Sequence, residues 1–184
     1  MEYRLTTPCT AEDLAPLRAG DTILLSGIVY TARDAAHKRM CEALDAGQSL
    51  PFDLEGSAIY YVGPTPEKPG QIIGSAGPTT SGRMDAYSPR LLDLGNKIMI
   101  GKGKRDTAVK EAVTRNGAVY MAALGGAGAL MCQCVKSLEI IAWPDLGCEA
   151  VRRLQVEDMP LTVILDAHGG DLYESGPSAY LQTV

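Results

Sequence analysis

The segment "SAGPTTSGRM", residues 75–84, sets three hydroxyls (Thr79, Thr80 and Ser81) after a Gly-Pro pair and places Arg83 four residues beyond the first of them. The Gly-Pro pair forces a turn. Two uses fit this pattern. In one, a hydroxyl caps the helix that follows and Arg83 faces water. In the other, Arg83 lies on the same side as Thr79, near a helix N-terminus, and holds a carboxylate beside the hydroxyl. A threonine hydroxyl is a poor base at its ordinary pKa. Nearby cations, or a metal at the substrate, bring its alkoxide within reach. Thr80 is chemically equivalent to Thr79 on these grounds.

Two further loops bring cations. In "YTARDAAHKR", residues 30–39, Arg33 falls where an aliphatic run gives way to a helical pattern. Its guanidinium can grip a carboxylate through two bonds, or pair on the surface with Asp34. His37, one helical turn on, reads as a hydrogen-bonded structural histidine. In "IGKGKRD", residues 100–106, Lys102 sits between glycines that let a ligand approach the backbone, and Lys104 and Arg105 add charge. A solvated basic turn is the plain reading of that loop. Together the three loops suit a small dianion, and loops at strand ends are where α/β folds build sites.

Other motifs point less far. "GGAG", residues 125–128, follows an apolar run as a phosphate-binding turn would, but it completes neither glycine-rich nucleotide motif, so close packing is the better reading. "CQC", Cys132 to Cys134, lacks the second nearby pair of a zinc site and follows an apolar stretch, so both cysteines are expected in the core. With five scattered cysteines, a secreted disulfide framework is not expected.

The elements that must position these loops are readable from pattern. Residues 21–33 read as a strand, and residues 33–47 as a helix that opens on Asp34 and stops at Gly47. Residues 57–64 and 71–78 read as a strand pair joined by a Pro- and Gly-rich turn. Residues 81–96 carry helix potential that Pro89 must start or kink. Residues 97–104 read as a short strand running into a loop, residues 105–117 as a helix, and residues 118–131 as strand, glycine loop and helix start. Residues 137–144, 151–159 and 161–170 complete the strands. Few helices and a mixture of hairpins and crossovers predict a mixed α/β fold rather than a doubly wound sheet.

The 184 residues fit one domain, residues 1–184. With one Phe and one Trp, its core must be aliphatic. The net charge of -5 and the pI of about 5.0 argue against a nucleic-acid partner. The N-terminus lacks the pattern of a signal peptide, and no apolar run reaches the ~20 residues that span a bilayer, so a cytoplasmic protein is expected.

"GPTTSGRM", "SGIVYTARDAAHKR" and "IGKGKRD", with "PFDLEGSAIYYVGP" before them and "ILDAHGGDLY" near the end, resemble the C-terminal region of class I, iron–sulfur-dependent fumarate hydratases. In two-chain members of that family this region is a separate β subunit, and L(+)-tartrate dehydratase β subunits are close relatives. The resemblance runs from about Leu5 to about Leu181. It implies a swivelling β/β/α fold and the reversible hydration of fumarate to (S)-malate. It implies a [4Fe–4S] cluster carried by a partner α subunit, so that this chain alone is inactive and an α2β2 assembly is expected. Matching motifs make Thr79 the base that takes a proton from C3 of malate. They make Arg33 and Arg83 the arginines that bind the substrate's carboxylates, and Lys102 a further substrate-binding cation, with Lys104 close by. "ARDAAH" and "KGKR" favour fumarase, because tartrate dehydratases tend to read C-R-D-x-x-H and K-G-G-M. A non-catalytic dicarboxylate-binding domain and a purely structural assembly subunit are the competing classes.

Overall fold

The computed structural model describes residues 1–124 and 126–181. The β-branched and aliphatic run Thr22–Thr31 forms β2, which buries Ile23, Leu25 and Val29. Glu2–Thr6 (β1) lies parallel to its first half. Ala58–Tyr60 (β3), Ile98–Gly101 (β4) and Val119–Ala122 (β5) follow as parallel neighbours. Val135–Ala142 (β6) and Val151–Leu165 (β7) run antiparallel to each other.

β7 closes the sheet. It pairs with β5 through residues 162–165 and with β2 through residues 152–162, so β2, β3, β4, β5 and β7 form a ring. A strand in a closed ring is buried on both faces, which is why β3 and β4 read as unbroken apolar runs. Tyr60, Ile98, Ile100, Val119, Met121 and Leu154 share one core with residues from the other ring strands. The alternate positions, Ile59, Tyr61, Met99 and Tyr120, join a second core with three helices: Asp34–Asp45 (α2), Ser88–Asp93 (α3) and Thr107–Arg115 (α4). Ala11–Leu14 (α1), Gly128–Gln133 (α5) and Leu172–Leu181 (α6) are the remaining α-helices.

The mixed α/β expectation holds, with three local differences. Residues 71–78 contain no strand; one bridge, Val62 to Pro78, is all the pairing they make. Gly74 packs so tightly on Thr65 that a Cβ there would lie 2.2 Å from its carbonyl oxygen, and Pro78 donates nothing, so the segment runs as irregular chain. Residues 151–159 and 161–170 do not form two strands: β7 runs unbroken through Pro160 to Leu165. It does so because Asp158, at φ 47, takes up the register shift opposite Leu25 and Gly27. β1 and α6 carry no strong sequence pattern and were not expected.

The "DAHGGD" segment after β7 is an anchor. Buried Asp166 accepts N–H bonds from Ala19 (2.9 Å), His168 (2.9 Å) and Gly170 (2.8 Å). Burial raises its pKa, but the backbone donors outweigh that and hold the carboxyl below its ordinary range. Gly170 fits because a Cβ would lie 2.3 Å from that carboxylate. Asp166→Ala strands these donors and is expected to cost about 2–4 kcal/mol, with Asp166→Asn costing less because one acceptor oxygen remains. Urea midpoints of the two variants check this; equal midpoints for Ala and wild type would refute the anchor role.

Candidate active site

Because β2, β3 and β4 are parallel, their C-terminal ends lie side by side, and the three cationic or hydroxyl-bearing loops meet there. The Thr79 N–H donates to the Tyr61 carbonyl just beyond β3 (2.7 Å), and the Lys102 N–H just beyond β4 donates to the Thr79 carbonyl (3.3 Å). Ser81 N–H then donates back to the Lys102 carbonyl (2.8 Å). Residues 79–81 are thus stitched between two strand ends, and Thr80 bridges Lys102 in parallel. Neighbours on extended chain face opposite ways, which separates the two threonines: Thr79 is half-buried and Thr80 exposed. The capping use of these hydroxyls is not what the fold adopts. Thr80 precedes the 3₁₀ turn Ser81–Met84 without a side-chain capping bond. Gly101 makes room for that turn, since a Cβ there would lie 2.0 Å from Ser81 Oγ.

Arg33 ends the β2 loop at the N-cap position of α2. It packs closely on Gly63, where a Cβ would lie 2.5 Å from its Nη1. Its Nη2 is 3.4 Å from Glu149 and 3.9 Å from Asp34, and Arg83 Nη2 is 2.8 Å from the same Asp34 oxygen. Asp34 therefore gathers both arginines, while Glu149 also accepts the Ala35 N–H at the start of α2 (3.0 Å). The two guanidinium charges are matched by two carboxylates. Lys102 and Lys104 are exposed and have no acidic partner among the described residues, so they supply the uncompensated positive charge of this edge.

Arg105 departs from the sequence expectation. It adds no charge to the surface: its side chain is fully buried, with Nε 2.6 Å from Asp85 and its guanidinium between the rings of Tyr61 and Tyr120. Nothing local signals this, because Asp85 and Tyr120 lie far from it in sequence. His37 is the structural histidine expected. Its Nδ1–H donates to the Arg33 carbonyl (2.9 Å), its ring meets Tyr61 edge-on, and burial lowers its pKa to about 4.

In "GGAG", Gly125 lies outside the described residues. Gly128 serves close packing: a Cβ would sit 2.3 Å from Ser75 Oγ and 3.0 Å from Gly77 N. Cys132 and Cys134 are half-buried against the first core, their thiols toward the Ala129 and Leu130 carbonyls. Among the described residues no group of three His, Cys, Asp or Glu side chains converges to hold a metal ion. Clefts of about 420, 400 and 240 Å³ are lined by residues other than Arg33, Thr79, Arg83 and Lys102.

Residues 1–176 match the Fumarase C-terminus family. The chain belongs to that family. The aerobic class I fumarate hydratase of Escherichia coli (strain K12) is 39% identical over 152 residues, 82% of this chain and 28% of that protein. Fumarate hydratase 2 of Leishmania major is 37% identical over 168 residues, 88% of this chain and 29% of its own length. The chain thus spans less than a third of these fumarate hydratases. A Methanocaldococcus jannaschii protein bearing the name L(+)-tartrate dehydratase subunit beta is 39% identical over 180 residues, 95% of this chain and 92% of that one.

His37 gives the site a pH signature. Its folded pKa of about 4 lies below the ordinary 6.5, so the unfolded chain binds the extra proton between those values. The stabilisation is complete above pH 6.5 and is lost as pH falls toward 4, by linkage on the order of 3 kcal/mol. The groups around the ring are Arg33, Asp34, Tyr61, Tyr87 and Arg105. His37→Gln is expected to flatten the fall in stability across that window, and an unchanged slope would refute the assignment.

Proposed function

We propose that the chain is the β subunit of a two-chain class I fumarate hydratase, which interconverts fumarate and (S)-malate. The observation that carries this reading is the stitching of Thr79 between the ends of β3 and β4, beside Lys102 and on the edge where Asp34 gathers Arg33 and Arg83. Arg33 and Arg83 bind substrate carboxylates and Lys102 adds a third cation. Cations over both carboxylates lower the cost of carbanion character at C3 and favour the alkoxide of Thr79. In the dehydration direction Thr79 Oγ1 takes the C3 proton, the C3–H electron pair becomes the C2=C3 double bond, and hydroxide leaves C2. The reverse sequence hydrates fumarate.

A [4Fe–4S] cluster belongs, in this reading, to a partner α subunit, and this chain contributes binding and proton transfer. Support for such a partner comes from the near-full-length match to a protein named as a subunit beta, together with coverage of less than a third of the fumarate hydratases. The near-full-length match to a protein named as a tartrate dehydratase β subunit favours a second reading with the same architecture and L-tartrate as substrate. No helix among the described residues is long and apolar enough to cross a membrane, and we place the α2β2 enzyme in the cytoplasm.

In the assembled enzyme, Thr79→Ala is expected to lower kcat about 10²–10⁴-fold with assembly intact. Arg33→Ala is expected to act mainly on KM. Steady-state kinetics on (S)-malate check both; near-normal turnover of Thr79→Ala would remove Thr79 as the base.

A further inference from the structure

We propose that Arg105 is a positioning residue: buried beneath the site, it fixes the spacing between the Thr79 segment and the Lys102 loop. This deepens the reading above, on which the roles of Thr79 and Lys102 rest.

Three sets of contacts carry the inference. First, the ion pair cross-links the two loops. Arg105 Nε reaches Asp85 (2.6 Å) and Nη2 donates to Ser88 Oγ (2.8 Å), while the other Asp85 oxygen accepts the Asp106 N–H (2.7 Å). The segment following Lys102 is thereby bound to the segment following Arg83. Second, the guanidinium lies 5.4 Å from the Tyr61 ring centre and 5.0 Å from that of Tyr120. Tyr61 is the residue whose carbonyl holds the Thr79 N–H. Third, the Tyr120 hydroxyl is 2.9 Å from both the Gly103 carbonyl and Ser81 Oγ. The phenol has one proton and a carbonyl only accepts, so Tyr120 donates to Gly103 and Ser81 donates to Tyr120. One side chain thus ties the residue after Lys102 to the turn after Thr79.

The backbone groups that bond to Thr79 belong to Tyr61 and Lys102, and both are held through Arg105 or the rings stacked on it. A buried ion pair is weak evidence for stability, since desolvation offsets its attraction. What this one supplies is geometry: a planar fork whose separate nitrogens bond Asp85 and Ser88 while its centre lies over the rings of Tyr61 and Tyr120. Lysine keeps the charge but cannot do this.

The test uses Arg105→Lys and the milder Tyr120→Phe, which keeps the ring and loses only its hydroxyl. Hydrogen exchange on the full chain is expected to speed at least tenfold at the Ser81 and Lys102 amides in both variants, with the Tyr120 and Val109 amides unchanged. In the assembled enzyme kcat is expected to fall more than tenfold in Arg105→Lys while KM moves less than threefold, the pattern of a misplaced base. A merely structural role would speed all core amides together and leave kcat per folded complex unaltered. Should Arg105→Lys not fold, Tyr120→Phe decides by exchange and kinetics alone. Wild-type protection at Ser81 and Lys102, with kcat within twofold, would overturn the proposal. An inactive wild-type complex would instead sink the functional reading, and the exchange result would still decide the role of Arg105.

Discussion

The pairing of β7 with both β2 and β5 is the constraint on which the rest of the structure depends. Closure gives the ring an inside, filled by aliphatic residues, and leaves the outside to α2, α3 and α4. It also holds the C-terminal ends of β2, β3 and β4 together at one edge. Loops of unrelated sequence then meet at that edge. Residues 79–81 complete that edge by borrowing hydrogen bonds that a neighbouring strand would otherwise take: the Tyr61 carbonyl and both backbone groups of Lys102.

The electrostatics of the edge divide by depth. Arg105, lowest, is neutralised by Asp85 and shielded by tyrosines, so it orders the loops and contributes little field at the surface. Arg33 and Arg83 are matched by Glu149 and Asp34, which orient them at the cost of competing with any carboxylate ligand. Lys102 and Lys104 remain as exposed charge. In the proposed reading, a dicarboxylate drawn in by the lysines would meet arginines already placed, which would let a protein of net charge -5 present a local anion site.

The sequence was readable where the determinants are local. β2, α2 and the placement of Arg33 between them follow from a switch of hydrophobic period, with Asp34 opening the helix and Gly47 closing it. Residues 71–78 misled because they follow an apolar strand across a Pro- and Gly-rich turn and so read as its pair, while the tight contact at Gly74 leaves the bridge from Val62 to Pro78 as their β-pairing. Arg105 was misplaced for a different reason: in sequence it is one more cation of a basic turn, and its partners arrive from three other segments. The roles given to Thr79, Arg33, Arg83 and Lys102 came from the resemblance. Spacing alone left Thr79 and Thr80 equivalent; the fold separates them by facing one inward and the other out.

The central claim is that this edge is one part of a dehydratase site completed by another chain. It is tested most directly by anaerobic reconstitution with a cysteine-bearing partner subunit, iron and sulfide, followed by assays on (S)-malate and L-tartrate side by side. The account predicts fast fumarate formation from malate, absent with either chain alone; preference for tartrate would retain the site and change the substrate. A stable complex with an intact cluster that turns over neither would contradict it.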